Sequence, residues 1–388
     1  MKIKIYRGTH QIGGCVVGVS TEHTRILIDM GKQMADTEGN TPLERLSIDE
    51  PYDAVIFTHY HSDHIGLMEY IAPNIPLYIG KTAREIFMAV KEQEGSPLTE
   101  RIKAMHTYED GKPFSIGDLQ ITPLLADHSA FDAYMLVIEG DGKKLLHTGD
   151  FRLHGLKGQR TAEKFDRYRN QVDLLITEGT NLSYKNPITT EERKLEEAAR
   201  VIMERFPYTF VLCSPTDFDR LSVFYRAAES KGSFFCDAYQ MKLFEILRKS
   251  GSDIDGLYDF SRAKVYLEDL KEKDDGFCMT VRNQKAFQSV IKPYLEKGEE
   301  SCLFISSVPE GYLRQHQSAV EKLAAGFRYR IKLHTSGHAS SEALWEAVRR
   351  LQPKKIIPVH TEKPEKIRLG AFQSSVLFLE DGDSYDIL

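Results

Sequence analysis

Cysteine is scarce in this sequence of 388 residues: there are five, Cys15, Cys213, Cys236, Cys278 and Cys302, odd in number, widely scattered and without C-x-x-C spacing. Neither a disulfide framework nor a zinc–thiolate cluster is expected, and a reducing, cytoplasmic setting fits best. Long apolar runs are also missing. Met1 to Tyr6 alternates Lys with Ile as a strand does and has no apolar stretch behind it, so neither a signal peptide nor a membrane span is expected. Positive charge is not in excess either. Lys plus Arg number 51 against 57 Asp plus Glu, a net charge of −6, so bulk charge excludes a polycation and any anionic substrate must be met locally. There are no repeats and no low-complexity tracts. What is there is a hydrophobic share of 41%, enough for two or three cored domains, which excludes a disordered or fibrous chain.

The first 180 residues are rich in strand patterns. Ile3 to Met30 carries short β-branched runs around Gly13-Gly14 and Glu22-His23, and reads as antiparallel strands. Ala54 to Phe57 is a buried strand, with a short helix expected over Gly66 to Ile71. Further strands fall at Leu119 to Pro123, Ala133 to Glu139, Lys144 to His147 and Asp173 to Thr177. The character then changes: helical spacing over Glu191 to Phe206, Phe218 to Ser230 and Tyr239 to Lys249 interleaves with strands at Thr209 to Cys213, Ser233 to Cys236 and Cys302 to Ser306. Such alternation predicts a parallel sheet with helices. A last helix from Glu342 to Leu351 leads into a strand at Lys355 to Val359, and Val376 to Leu388 reads as a hairpin around Glu380 to Asp383.

The chemistry concentrates in Thr58-His59-Tyr60-His61-Ser62-Asp63-His64. A strand running out into a loop puts His59 and His61 on one side and turns Asp63 and His64 toward a neighbouring position. Imidazole suits zinc, and a carboxylate among imidazoles suits a hydrolytic site with open positions better than a closed structural one. His128 in Ala-Asp-His-Ser and Asp150 in His-Thr-Gly-Asp follow apolar strands. Alone, the first reads as a structural hydrogen-bonder and the second as a turn residue; beside the cluster they read as part of one site.

These residues resemble the HxHxDH signature of the metallo-β-lactamase superfamily, matched by His59, His61, Asp63 and His64, with Asp29, His128 and Asp150 in the expected order. The resemblance implies an α/β fold, an αββα sandwich with two metals at one edge. One would be held by His59, His61 and His128, the other by Asp63 and His64, with Asp150 bridging and Asp29 supporting the cluster from behind. Thr177-Glu178-Gly179-Thr180, Thr335-Ser336-Gly337-His338-Ala339-Ser340 and Pro358-Val359-His360-Thr361-Glu362 are similar to motifs A, B and C of the β-CASP nucleases, and the last two resemble segments of ribonuclease J. By this likeness residues 1–180 and 331–388 form the lactamase domain and 181–330 an inserted β-CASP domain. His360 joins the second metal, Glu178 orients His338, and Asp63, Asp150, Glu178 and His338 carry catalysis. Ribonuclease J usually has a further C-terminal domain that supports its oligomers. Only 28 residues follow His360, so any oligomer is expected to form without it.

The implied activity is hydrolysis of single-stranded RNA, exo- or endonucleolytic, by hydroxide activated between two zinc ions, with manganese as the other candidate metal. A DNA nuclease, a small-ester or thioester hydrolase and a catalytically silent RNA-binding scaffold remain as alternatives. Two basic runs, Arg152 to Arg169 and Arg328 to Lys332, are candidate tracks for a phosphate backbone or solvated faces. Ser336, Gly337, Ala339 and Ser340 are candidates to hold a 5′-terminal phosphate at a helix N-terminus, the serine beside the last helix being the residue that would otherwise merely cap it, and Ser214 resembles the position from which ribonuclease J contacts such a phosphate.

Overall fold

The computed structural model describes residues 1–33, 48, 50–251, 256–267 and 276–388. Two compact units divide the chain, one formed by Met1–Pro187 with Gly337–Leu388, the other by Ile188–Ser336.

The first unit contains β1 (Lys2–Arg7), β2 (Val16–Ser20), β3 (Arg25–Ile28), β4 (Ala54–Ile56), β5 (Leu77–Gly80), β6 (His106–Tyr108), β7 (Phe114–Ile116), β8 (Leu119–Ala126), β9 (Ala133–Gly140), β10 (Lys143–His147) and β11 (Leu174–Glu178). The second unit supplies β12 (Tyr208–Cys213), β13 (Phe234–Cys236), β14 (Ala263–Val265), β15 (Phe277–Val281), β16 (Cys302–Ser307) and β17 (Tyr329–Lys332), and the chain closes with β18 (Lys355–Val359) and β19 (Ser384–Asp386) in the first.

Two mixed sheets make up the first unit, in the orders β19-β1-β2-β3-β4-β5-β6 and β18-β11-β10-β9-β8-β7. Alternation decides how they pack. Ile3, Ile5, Val17, Val19, Ile26, Ile28 and Ile56 meet Ile121, Leu136, Ile138, Leu145, Ile176 and Ile357 in one core. The intervening residues Leu124, Met135, Val137, Leu146, Leu175 and Ile356 face the other way and bury Phe165 of helix Gly158–Arg167 and Ala343, Leu344, Ala347 and Leu351 of helix Ser341–Leu351. The middle strands of the second sheet are therefore apolar on both faces, as expected of strands covered on both sides.

Strand direction, more than composition, determines where functional groups can gather. β3 and β4 run parallel, β10, β11 and β18 run parallel, and β8 shares their direction because it is antiparallel to β9, which is antiparallel to β10. Their carboxyl ends lie on one edge, where side chains leaving the ladders are free to converge.

The second unit is a parallel sheet, order β14-β13-β15-β12-β16-β17, with an aromatic core including Phe210, Phe277, Tyr294, Phe304 and Phe327. Fully buried Arg220 is matched bidentately by Glu192 at 3.0 and 2.9 Å and donates also to Ser307 and to the Thr335 carbonyl. A buried guanidinium is tolerable only with such saturation.

Two local expectations are corrected. The helix expected over Gly66 to Ile71 begins earlier, inside the histidine cluster, as Ser62–Ile65, followed by a single 3₁₀ turn at Met68–Tyr70. The expected terminal hairpin is not one: Ser384–Asp386 pairs antiparallel with β1, because Tyr385 and Ile387 find their apolar partners in the inter-sheet core.

Candidate metal centre

Asp29 follows β3, the histidine cluster follows β4, His128 follows β8, Asp150 follows β10, Glu178 ends β11 and His360 follows β18. Each strand is held by its ladder, so each donor leaves a rigid stem. Asp29 and His360 adopt left-handed backbone, φ 59° and 56°, a conformation disfavoured without glycine and kept here by tertiary bonds. Asp29 accepts from the Thr58 N–H (2.7 Å), the Thr58 hydroxyl (2.8 Å) and His64 Nδ1 (2.7 Å). The His360 N–H donates to the Gly8 carbonyl at 2.7 Å.

The bonds behind each ring fix which nitrogen faces inward. His64 Nδ1–H is given to Asp29, His128 Nδ1–H to the Gly337 carbonyl (2.7 Å) and His360 Nδ1–H to Thr180 Oγ1 (2.8 Å). His59 Nδ1 lies 3.1 Å from the Thr58 hydroxyl, already committed to Asp29 as a donor, so this ring too keeps its proton at the back. The Nε2 atoms of all four rings then face one space. These tautomers are assigned from the hydrogen-bond network.

Two contacts show what that space requires. His64 Nε2 and His360 Nε2 are 3.2 Å apart, and His128 Nε2 is 3.2 Å from His61 Nδ1. Two ring nitrogens this close need a proton or a metal cation between them. His59 Nε2 and Asp150 Oδ1 are buried and have no hydrogen-bond partner among the described residues. Asp150 Oδ2 lies 3.1 Å from His64 Nε2, 3.8 Å from His360 Nε2 and 3.9 Å from both His59 Nε2 and His128 Nε2, while Asp63 Oδ2 is 3.2 Å from His360 Nε2. Donor atoms of His59, His61 and His128 form one group within 4.8 Å, and those of Asp63, His64, Asp150 and His360 another. These residues fit a metal site.

The electrostatics agree. Burial and neighbouring imidazoles hold His59 well below its ordinary pKa, and burial does the same to His128 and lowers His61 to about 4, so all three are neutral ligand-type rings. His64 goes the other way. Burial disfavours its charge, but Asp150, Asp29 and Asp63 outweigh it and push the ring well up. A field of three carboxylates that strong attracts a cation.

Beside the donors stands a different pair. Glu178, 1% exposed, accepts from the Phe151 N–H (2.9 Å) and Ala339 N–H (3.2 Å) with one oxygen and from the Thr180 N–H (3.3 Å) with the other, which also lies 3.2 Å from His338 Nδ1. Burial disfavours the His338 cation, yet Glu178 and Asp150 overcome it and raise the ring to about 9. His338 is 23% exposed and reaches Asp150 Oδ2 at 3.5 Å, within the range of a third donor group with His128.

Sequence reading missed the hydroxyls and amide that aim the rings. Thr58, Thr180 and Asn181, the last donating to the His338 and Ala339 carbonyls at 3.0 Å each, adjoin motif residues, which was the available signal. The phosphate candidates are not gathered in one unit: Ser214 and Ser336 lie in the second, Gly337, Ala339 and Ser340 in the first. Ser340 caps helix Ser341–Leu351, accepting from the Ala343 N–H at 3.1 Å, and the Gly337 carbonyl is taken by His128. The basic runs are internal only in part, since Arg152, Lys157 and Lys164 are buried while Arg160, Arg167, Arg169, Arg328, Arg330 and Lys332 are exposed. Arg152 is buried on Asp127, Lys164 on Asp110, Arg328 pairs with Glu300 and Lys332 with Glu310.

Comparison with known proteins points the same way. Residues 24–207 match the family described as beta-lactamase superfamily domain, and residues 327–371 the Zn-dependent metallo-hydrolase RNA specificity domain. A crystal structure of a protein of unknown function from Enterococcus faecalis V583 superposes with a TM-score of 0.79 at 21% identity, covering 99% of both chains. The fold is that of the metallo-β-lactamase superfamily. Ribonuclease J of Helicobacter pylori (strain ATCC 700392 / 26695) is 22% identical over all of this chain and 61% of its own length, and ribonuclease J of Thermus thermophilus is 25% identical over 80% of this chain and 58% of its own. The RNase J-like protein of Methanocaldococcus jannaschii is 29% identical over 52% of this chain and 48% of its own. Within the superfamily the chain is similar to ribonuclease J and RNase J-like proteins. It spans about 60% of the length of the first curated relatives it matches. Among the described residues no helix is long and apolar enough to cross a membrane.

Proposed function

We propose that the chain is a metal-dependent ribonuclease that hydrolyses phosphodiester bonds of single-stranded RNA, from the 5′ end, internally or both. The observation that carries this reading is the Glu178–His338 pair standing against the donor cluster, His338 Nδ1 being 3.2 Å from Glu178 and 3.5 Å from Asp150. His59, His61 and His128 would hold one zinc ion and Asp63, His64 and His360 a second, with Asp150 between them; manganese accepts the same donors. When bound, such ions supply Lewis-acid polarisation of a phosphate and a water of lowered pKa.

The remaining work falls to the chain's own groups. Asp29, Thr58 and Thr180 keep imidazole protons at the back of the rings, so that donor nitrogens face the substrate side. His338, cationic at neutral pH, gives a hydrogen bond to the phosphate oxygen on which charge develops or a proton to the leaving 3′ oxygen. Glu178 holds that ring in its charged form. RNA is favoured over a small ester because the region similar to an RNA specificity domain, 327–371, contains both His338 and His360, and because curated relatives are named ribonuclease J.

The test is one RNA labelled at either end, its DNA analogue and a thioester, each with and without chelator. Chelator-sensitive loss of RNA with DNA and thioester spared is expected; mononucleotides released first from the 5′ end, or internal fragments, assign the mode. Equal loss of DNA would make it a DNA nuclease, and thioester cleavage alone would refute the proposal.

A further inference from the structure

His128 and Asp150 reach the centre from different strands, and the residues that flank them are joined beneath it. Asp127 precedes His128; Arg152 follows Asp150 by two positions. Both side chains have no exposed surface, and Arg152 Nε donates to Asp127 Oδ1 at 2.9 Å. The backbone repeats the link, since the Arg152 N–H donates to the Asp127 carbonyl at 2.7 Å. The other carboxylate oxygen accepts the Lys157 N–H at 2.6 Å, and the Asp127 N–H is given to Thr161 Oγ1 at 2.8 Å. Gly155 seals the pair from the side: a Cβ there would lie 2.3 Å from Asp127 Oδ1 and 2.4 Å from Arg152 Nε.

This is more apparatus than stability alone calls for. A buried ion pair contributes little net stability over an apolar replacement, yet it fixes geometry when every direction is bonded. Here the pair is held by backbone, side chain and steric contact, and the chemistry it adjoins is the His128 Nε2 to Asp150 Oδ2 approach at 3.9 Å.

We infer that Asp127 and Arg152 are positioning residues that set the spacing between the His128 and Asp150 donors, and through it the affinity of the centre for its metal. The inference rests on the metal-binding reading above. A metal spanning donors on two loops senses small changes in their separation, and partners behind ligating groups govern affinity by roughly 10- to 100-fold.

The experiment uses the full chain and reads metal binding and fold separately. Asp127→Asn, Arg152→Met and the double variant are compared with wild type by thermal melting of chelator-treated protein, competitive zinc titration and the visible spectrum of the cobalt-substituted form. Each single variant strands a buried polar group and melts earlier. The double variant removes both charges and regains most of the melting temperature, while zinc binding stays weakened by roughly 10- to 100-fold with an altered cobalt spectrum. Gly155→Ala, which displaces the pair without removing a charge, is expected to weaken binding in the same way even where a single variant does not fold. Wild-type zinc affinity and cobalt spectrum in a well-folded double variant would overturn the inference. Wild-type protein that takes up no zinc would instead remove the reading on which it rests.

Discussion

Replacing Glu178 by Gln tests the site more sharply than deleting any donor, because shape is kept and only the charge and two lone pairs change. One oxygen of Glu178 accepts from Phe151 and Ala339, the other from Thr180, and this second oxygen forms an ion pair with His338 Nδ1 at 3.2 Å. In Glu178→Gln the amide oxygen still serves the first pair of N–H groups, which places the NH₂ against Thr180 N–H and the His338 ring, donor against donor. A hydrogen bond to a charged partner contributes about 1.5–3 kcal/mol, and each ~1.4 kcal/mol in the barrier is a tenfold rate. Turnover is therefore expected to fall by roughly 10- to 150-fold. His338 stands at about 9 because Glu178 and Asp150 overcome burial. The charged ring is present below that pH and lost above it, so without Glu178 the alkaline fall of kcat begins at lower pH. The assay is a pH series of single-turnover RNA cleavage together with metal analysis, which should be unchanged since Glu178 lies outside the two main donor groups. An unshifted profile at near wild-type rate would refute the assignment of His338 as the charged donor; loss of metal would make Glu178 part of the metal shell.

His338→Ala should keep metal and fold while slowing turnover by roughly a hundredfold or more, whereas His360→Ala should lose one metal first; metal loss in the former would make His338 a ligand. Metal analysis of protein purified without chelator should give near two equivalents, with most activity gone in Asp150→Asn, and one or none with full activity would end the two-metal reading. Ser340→Ala should lower stability by about 1 kcal/mol through loss of the helix cap, measured by urea melting. Thr180→Val should strand the buried His360 Nδ1–H and weaken the Asp63–His64–His360 group, seen as weaker zinc binding with little change in His338→Ala-sensitive steps.

The centre was readable because its donors are sequence neighbours of strand ends. His59 to His64 is contiguous, and His128, Asp150, Glu178 and His360 each sit at or within three residues of a strand's end. What the sequence could not disclose is pairing at a distance. Arg152 and Lys164 look like surface charge until Asp127 and Asp110 are found beside them, and Ser384–Asp386 looks like a hairpin arm until β1 is found as its partner. Helix Lys285–Lys297 was hidden for a local reason, because Pro293 inside it reads as a stop. The helix expected after the cluster began early because Ser62 and Asp63 start it while His64 and Ile65 turn inward, burial that no periodicity over four residues can announce.

His64 and His360, whose ring nitrogens meet at 3.2 Å, are 296 positions apart in the chain. At a synthesis rate of about 5–20 residues per second, the later histidine leaves the ribosome roughly 15–60 s after the earlier one. For most of that interval a growing polypeptide owns the imidazoles of the first cluster but neither His338 nor His360. Under the proposed activity it is inert toward RNA while still being translated, and its own messenger is safe from it until the last donor has emerged.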